Sequence, residues 1–365
     1  MREHGAMLIA DFHLDLAMNA VSMSWDRDLT LPVHEIRRLE AGSTKKGKAA
    51  GTVAFPEMRQ GRVALASATV IARWAAPGSN ATGHRTQAAS YGASQGQLAY
   101  YRWLERHGVV RLISDLAALR AHMAEWRAYD ATPTGDPPPL GFILSMEGAD
   151  PITEPGEVAG WWADGLRIVS LCHYGRSAYA NGTGQPGPLT ERGRPLLAEL
   201  ERAGMILDVT HLADDALFEA LQAFGGPVLA SHSNCRALVP GDRQLTDEMI
   251  RLLAQRDAVI GAAMDDWMLY PNWVRGQTSN EVVALKDVVD HIDHVCQLTG
   301  SARHAAIGTD LDGGYGTEQS PSDLDTIADL QKIPPLLRAR GYAEADVEAI
   351  MHGNWLRLIE QAWSR

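Results

Sequence analysis

The chain has 365 residues, of which 45% are hydrophobic, which is enough to build a large buried core. Its formal net charge of -12 argues against binding nucleic acid or an anionic membrane by bulk electrostatics. The three cysteines, Cys172, Cys235 and Cys296, are odd in number and far apart, which argues against a disulfide framework and against a cysteine-ligated zinc site.

The apolar stretches are too short to target the chain to a membrane or to span one. The apolar run near the N-terminus leads directly into Asp11, His13 and Asp15, so the sequence predicts no signal peptide. No run of about 18 apolar residues occurs, so no membrane span is expected. We therefore expect a cytoplasmic protein.

Short apolar runs bounded by turn residues are typical of strands that are buried on both faces of a parallel sheet. Eight such runs occur, at residues 7–13, 63–70, 141–148, 166–173, 205–211, 227–233, 258–265 and 305–313. Segments that favour helices follow several of them, at residues 190–204, 212–225, 246–257 and 322–341. This α/β alternation predicts a (β/α)8 TIM barrel in one domain over residues 1–365, with an open doubly wound sheet as the alternative.

Three stretches are predicted as insertions into this barrel, at residues 20–62, 71–139 and 266–280. The second of them includes residues 131–139, a proline-rich loop that disfavours regular structure. Insertions that follow strands lie over the C-terminal face of a barrel, where they shape a substrate pocket.

Histidines and acids mark the ends of six of the eight predicted strands. These residues are His13, Asp15, Glu147, His173, His211, His232, Asp310 and Asp312. Strand ends meet at the C-terminal face of a barrel, so these side chains are expected to be neighbours. Each of them alone is more often a hydrogen-bonded or turn-forming residue, but imidazoles and carboxylates together suit zinc. Their coincidence therefore indicates a metal site.

The spacing of these residues suggests how two ions could be shared. His13 and Asp15 are two residues apart, so in a strand both point to the same side and can hold one ion. His211 and His232 come from adjacent strands and can hold a second ion, and Glu147 can bridge the two. Two ions about 3.5–4 Å apart would share a hydroxide that attacks the substrate and would clamp a tetrahedral intermediate.

Eight short segments of the sequence resemble the successive motifs of one known family. They are DFHLD (11–15), SMEG (145–148), LCHYG (171–175), LDVTH (207–211), ASHSN (230–234), DRQLTDE (242–248), IGTDLDG (307–313) and GNWLR (353–357). The family is the renal (membrane) dipeptidase family of the amidohydrolase superfamily, and the motifs run in its order over nearly the whole chain. The resemblance implies a metallo-dipeptidase with a TIM-barrel fold that acts on dipeptides, L-Xaa-D-Xaa dipeptides included.

The resemblance also implies two zinc ions per chain and a role for each site residue. His13, Asp15 and Asp310 would bind the first ion. His211 and His232 would bind the second ion, and Glu147 would bridge the two. His173 would contact the substrate carbonyl, and Arg243 would bind the C-terminal carboxylate of the substrate. Asp310 would also move the proton from the bridging hydroxide to the leaving amine. As partners we expect a dipeptide substrate and a second copy in a homodimer.

Two residues depart from the family's familiar pattern. Arg176 stands where other members carry Asn three residues after the histidine that matches His173, and Gln244 stands where Asn often follows the arginine that matches Arg243. Because both lie near the expected substrate, the alternative is a superfamily enzyme that acts on another small amide, lactam or ester. A third hypothesis is a non-catalytic barrel with a structural or absent metal, against which the intact ligand positions and Asp310 argue.

Overall fold

Parallel strands form the centre of the protein in a computed structural model that describes residues 6–22, 24–75 and 82–364. The strands are β1 (Ile9–Leu14), β2 (Val63–Ile71), β3 (Val110–Leu112), β4 (Leu140–Glu147), β5 (Leu166–Ser170), β6 (Ile206–Asp208), β7 (Val228–Leu229), β8 (Ile260–Ala262) and β9 (Ala305–Ile307). They are hydrogen-bonded in the order β7-β6-β5-β4-β2-β1-β9-β8, with β3 beside β4. A parallel bridge between Ala230 and Ile260 joins the two ends of this order. The result is a nearly closed barrel of eight parallel strands, which confirms the predicted fold.

Helices surround the barrel and account for most of the connections. They are α1 (Leu16–Val21), α2 (Val33–Leu39), α3 (Phe55–Gln60), α4 (Gln87–Arg106), α5 (Leu116–Ala131), α6 (Val158–Ala163), α7 (Gly193–Ala203), α8 (Asp214–Ala223), α9 (Asp247–Gln255), α10 (Leu285–Thr299), α11 (Ile333–Ala339), α12 (Glu344–Glu348) and α13 (Asn354–Trp363). The first three helix predictions correspond to α7, α8 and α9. Helix α9 begins where the sequence indicates, because the Thr246 side chain accepts a hydrogen bond from the Met249 amide.

The fourth predicted helix, at residues 322–341, is wrong for the first half of its length. Residues Ile327–Lys332 form a 3-10 helix, and the α-helix begins only at Ile333. Pro334 and Pro335 explain the late start, since a proline lacks an amide donor and is tolerated only in the first turn of a helix.

The stretch 71–139 does not lie as one insertion over the C-terminal face. Helices α4 and α5 occupy most of it, and β3 pairs with the first part of β4 as a strand that the sequence did not indicate. The buried face of α4 includes Ser90, Ser94 and Gln97, so its periodicity is not apolar and escapes a hydrophobic pattern. Residues 132–139 form neither helix nor strand, as the prolines predict.

The barrel closes tightly beneath the ends of β7, β8 and β9. A β-carbon on Gly261 or on Gly308 would collide with the carbonyl oxygen of Ser231, so the chain can pass here only because both residues lack a side chain. This close approach fixes the backbone of Ser231 and of the histidine that follows it. In the part of the chain that the structure describes, the helices are too short or too polar to cross a bilayer.

Candidate active site

The predicted metal ligands lie at the C-terminal ends of the barrel strands, inside a strand or within three residues of its end. They are His13 in β1, Asp15 after β1, Glu147 at the end of β4, His211 after β6, His232 after β7 and Asp310 after β9. Five of these residues are buried, and the side chain of Asp310 is 17% exposed. Residues nearly 300 positions apart in the sequence are thus neighbours, as the barrel predicts.

Glu147 lies at the centre of this group. Its Oε1 atom is 3.3 Å from His211 Nε2, 3.4 Å from His232 Nε2, 3.5 Å from His13 Nε2 and 3.7 Å from His173 Nε2. Burial raises the pKa of a carboxyl group, but His173 and His13 outweigh it and hold the pKa of Glu147 well below its usual range. The carboxylate therefore stays ionised where four imidazoles meet.

The donors form three overlapping groups that could each hold a cation. The groups are His13, Glu147 and His232; Glu147, His173 and His211; and His13, Asp15 and Asp310, with the ligand atoms of each group within 4.8 Å of one another. In the third group, His13 Nε2 is 4.0 Å from Asp15 Oδ1 and 3.8 Å from Asp310 Oδ1. The groups share members, so two ions placed among them would share ligands.

The imidazoles of the ligand group differ in their pKa. Burial holds the pKa of His211 and of His232 well below the usual value, so both are neutral imidazoles, the form that binds a metal. Burial also lowers the pKa of His13, but the carboxylates of Glu147 and Asp15 outweigh it and raise that pKa to about 10. The buried His13 Nε2 atom has no hydrogen-bond partner among the described residues, and the carboxylates around it favour a positive charge, which a metal ion would supply in place of the proton.

Two of the site residues have strained backbones. His211 has a φ of 69° and Asp310 has a φ of 59°, both in the left-handed region that residues with a β-carbon seldom adopt. Such a residue costs about 1–3 kcal/mol, a strain that clusters at functional sites. No local sequence pattern indicates this strain, because neither position carries the glycine that marks a left-handed turn.

A shell of hydroxyl groups behind the ligands was missed by the sequence analysis. Thr69 donates to Asp15 Oδ1, the hydroxyl of Thr183 is 2.9 Å from His211 Nδ1, and that of Ser231 is 2.8 Å from His232 Nδ1. Groups of this kind orient metal ligands and fix imidazole tautomers. Serine and threonine are too common to single out by type, and only their contacts reveal this role.

Five of the candidate donors line a cavity of about 1090 Å³, namely Asp15, Glu147, His173, His211 and Asp310. The other walls come from residues within 18–22, 24–25, 71–73, 82–84 and 265–275, so each predicted insertion does contribute to a pocket. Trp267 and Trp273 also line this cavity.

Arg243 is buried in the wall of the same cavity. Its Nη2 atom donates to the carbonyl oxygen of His232 at 2.7 Å, and its Nη1 atom is 3.5 Å from Ser233 Oγ. Gln244 instead donates to the carbonyl oxygen of Met268 at 2.8 Å. Arg176 is exposed, and neither it nor Gln244 is among the residues that line the cavity.

A family model described as membrane dipeptidase, peptidase family M19, matches residues 4–364. The chain belongs to this family. Membership confirms the resemblance indicated by the motifs, and with it the prediction of a metallopeptidase that acts as a dipeptidase. It does not test the role of any single residue.

Known relatives agree with this assignment. Dipeptidase aclJ of Aspergillus oryzae is 30% identical over 231 residues, which are 60% of this chain and 51% of that protein. The matched region thus spans about half the length of that curated relative. The solved dipeptidase AC, a metallo peptidase of family M19, has a TM-score of 0.78 and 22% identity, covering 99% of this chain and 100% of that chain.

A second solved structure is similar over the same extent. It is a metallo peptidase from Rhodobacter sphaeroides, liganded with a phosphinate mimic of the dipeptide L-Ala-D-Ala. Its TM-score is 0.77 at 21% identity, and the match covers 98% of this chain and 100% of that chain. At such identities the two likenesses show the barrel fold alone.

Proposed function

We propose that this family M19 protein holds two zinc ions and hydrolyses dipeptides, including those with a D-residue at the C-terminal position. The observation that carries the proposal is the meeting of four imidazoles at one oxygen of Glu147, beside an arginine in the same cavity. The L-Ala-D-Ala mimic bound to the Rhodobacter sphaeroides relative supports the stereochemical part.

The proposed ligands follow the geometry of the donors. One ion would be held by His13, Asp15 and Asp310 at the ends of β1 and β9. The other would be held by His211 and His232 at the ends of β6 and β7. Glu147 would be a ligand of both. Zinc bound there supplies Lewis acidity that polarises a carbonyl group and lowers the pKa of a water molecule.

Two residues of the chain would handle the charge and the proton. Asp310 lies at the cavity with its Oδ1 atom 3.8 Å from His13 Nε2, where it can take a proton from the attacking water and give it to the leaving amine. His173 also lines the cavity and can donate a hydrogen bond to the carbonyl oxygen as it gains negative charge. Burial lowers the pKa of His173 to about 4, so it would act as a neutral donor.

Arg243 would select the substrate by its length. Its guanidinium is held on one side by the carbonyl oxygen of His232, and it faces the cavity near the ligand cluster. A guanidinium binds a carboxylate through two parallel hydrogen bonds, a geometry that an ammonium cannot provide. A carboxylate anchored there would hold the C-terminal end of a substrate in the same cavity as the ligand cluster, which favours short peptides.

The metal part of the proposal is tested by Glu147→Gln. The purified protein should contain two equivalents of zinc, and a chelator should abolish its activity. The neutral amide removes the anionic bridge, so the variant should lose at least one ion, measured by elemental analysis of the folded protein. A variant that keeps both ions and the full rate would show that Glu147 is not a bridging ligand.

The substrate part is tested by a panel of small compounds. L-Ala-L-Ala and L-Ala-D-Ala should be hydrolysed, whereas their C-terminal amides should react far more slowly because they lack the carboxylate for Arg243. Hydrolysis of lactams or esters without hydrolysis of any dipeptide would favour the alternative substrate class and would contradict the proposal.

A further inference from the structure

Behind the metal ligands lies a buried pair, Asp208 at the end of β6 and Ser231 after β7. One carboxylate oxygen of Asp208 accepts hydrogen bonds from the amides of Thr210 at 2.9 Å and of Ser231 at 3.1 Å. The other oxygen accepts the Ser231 hydroxyl at 2.5 Å. Because a carboxylate only accepts, the single proton of the Ser231 hydroxyl is committed to Asp208.

With its proton committed, the Ser231 oxygen can only accept hydrogen bonds. It lies 2.8 Å from His232 Nδ1, 3.5 Å from His13 Nδ1 and 3.3 Å from the Thr210 hydroxyl. Its two lone pairs can accept from His232 and from one of the other two. Both histidines turn their other ring nitrogen, Nε2, toward Glu147. An accepting oxygen at Nδ1 requires a proton there, which leaves the lone pair at Nε2 free for a metal.

We infer that Asp208 is a positioning residue: acting through the Ser231 hydroxyl, it sets His232, and over the longer contact His13, in the tautomer that can bind metal through Nε2. The inference rests on the proposed metal site. In this arrangement each imidazole donates to the Ser231 hydroxyl, and the hydroxyl donates to the Asp208 carboxylate. The carboxylate thereby sets the direction of hydrogen bonds that reach ligands of both proposed ions.

A purely structural role explains the pair less well. The backbone of Ser231 is already confined by Gly261 and Gly308 and is bonded through its amide, so its hydroxyl is not needed to hold the chain in place. The hydroxyl of Thr183 offers a contrast, since it meets His211 Nδ1 at 2.9 Å and has the His211 carbonyl oxygen 3.5 Å away as its own acceptor. The hydrogen bonds through Thr183 thus end on a neutral carbonyl group, whereas those through Ser231 end on the charged carboxylate of Asp208.

Asp208→Asn tests the direction of the chain without changing its shape. One oxygen of Asp208 accepts two backbone amides, so the oxygen of the new amide must take that place and its NH₂ group must face Ser231. Ser231 would then accept from the amide and turn its own proton toward an imidazole Nδ1. That histidine would need its proton on Nε2, the nitrogen that faces the metal.

The measurement is the zinc affinity of each of the two equivalents, obtained by competition with a chelator. In Asp208→Asn one equivalent should bind about 10–100-fold more weakly, the usual effect of losing an outer partner of a ligand. The absorption spectrum of the cobalt-substituted protein should change, since it reports on ligand geometry, and the melting temperature of the metal-free protein should stay close to that of the wild type. Ser231→Ala, which removes the chain, should also weaken zinc binding.

Ser67→Ala provides the matched control, because Ser67 is a buried barrel serine whose hydroxyl bonds Ser145 Oγ at 2.8 Å rather than an imidazole. It should leave zinc affinity unchanged. Unchanged affinity in both Asp208→Asn and Ser231→Ala would overturn the inference, as would a fall in the metal-free melting temperature that accounts for the whole loss of binding. A wild-type protein that binds no zinc would instead overturn the proposed function, so the two failures are distinguishable.

Discussion

The turn that follows β9 has two faces, and each carries one aspartate. Asp310 and Asp312 are two residues apart and share a left-handed backbone, with φ values of 59° and 61°. Asp312 points away from the cavity and accepts hydrogen bonds from the Thr52 amide and hydroxyl, both at 2.8 Å, from the Val53 amide at 3.1 Å and from Arg27 Nη1 at 2.9 Å. Its lone pairs are already used, so it anchors the turn.

Asp310 on the other face lines the cavity with its carboxylate toward the imidazole of His13. Burial raises its pKa well above the usual value, and the neighbouring carboxylate of Glu147 adds to the effect. Two acids of the same type in the same backbone conformation thus differ in what surrounds them. The saturated one serves the fold, and the one that faces the cavity is available for chemistry.

The largest effect is expected for Asp310→Asn, which tests whether Asp310 takes part in the chemistry. If Asp310 moves a proton, kcat should fall about 10²–10⁴-fold, the usual contribution of a general acid–base group, because an amide cannot accept that proton. Bound zinc must be measured on the same sample, since a fall in kcat that follows zinc loss would make Asp310 mainly a ligand. A near-normal kcat with both ions present would contradict the comparison and direct attention to Asp312.

The opposite face is tested by Asp312→Ala. Arg27 keeps Glu40 as a partner, but the change removes the acceptor of the buried Thr52 and Val53 amides, and each buried donor left unpaired costs about 1–3 kcal/mol of folding free energy. Chemical denaturation should show this loss, while kcat of the folded protein should fall far less than in Asp310→Asn. An undiminished stability of Asp312→Ala would contradict an anchoring role.

Arg243→Lys should have the smallest effect on activity of the three variants. It extends the comparison because Arg243 is buried like Asp312 but lines the cavity like Asp310. Lysine keeps the charge and loses the two-pronged contact, so kcat/KM on dipeptides should fall by roughly ten-fold, about the value of one hydrogen bond to a charged group. Zinc content should not change. If amidated and free dipeptides react equally fast in the wild type, the carboxylate-binding role is wrong.

The sequence was informative about the fold because each barrel strand is a short apolar run, and about the candidate site because strand ends meet in space. Asp208 and Ser231 escaped it, since their role depends on the pairing of β6 with β7 and not on any local pattern. Helix α4 escaped it because its buried face is partly polar. The site roles, the single domain, the cytoplasmic location and the homodimer stay predictions.

The seam of the barrel gives the candidate site a second significance. Strands β7 and β8 are joined by the bridge between Ala230 and Ile260 and by a few backbone hydrogen bonds around it. Strands β2 and β4 instead pair along a continuous register from Leu65 to Ile71. His232 follows β7 on one side of this seam. On the other side, β8 is followed by β9 and then by β1, which carries His13. Ions bound to His13 and His232 would link the two sides of the seam and raise the free energy of its local opening. Amide hydrogen exchange at residues 228–232 and 260–262 should therefore slow when zinc is added.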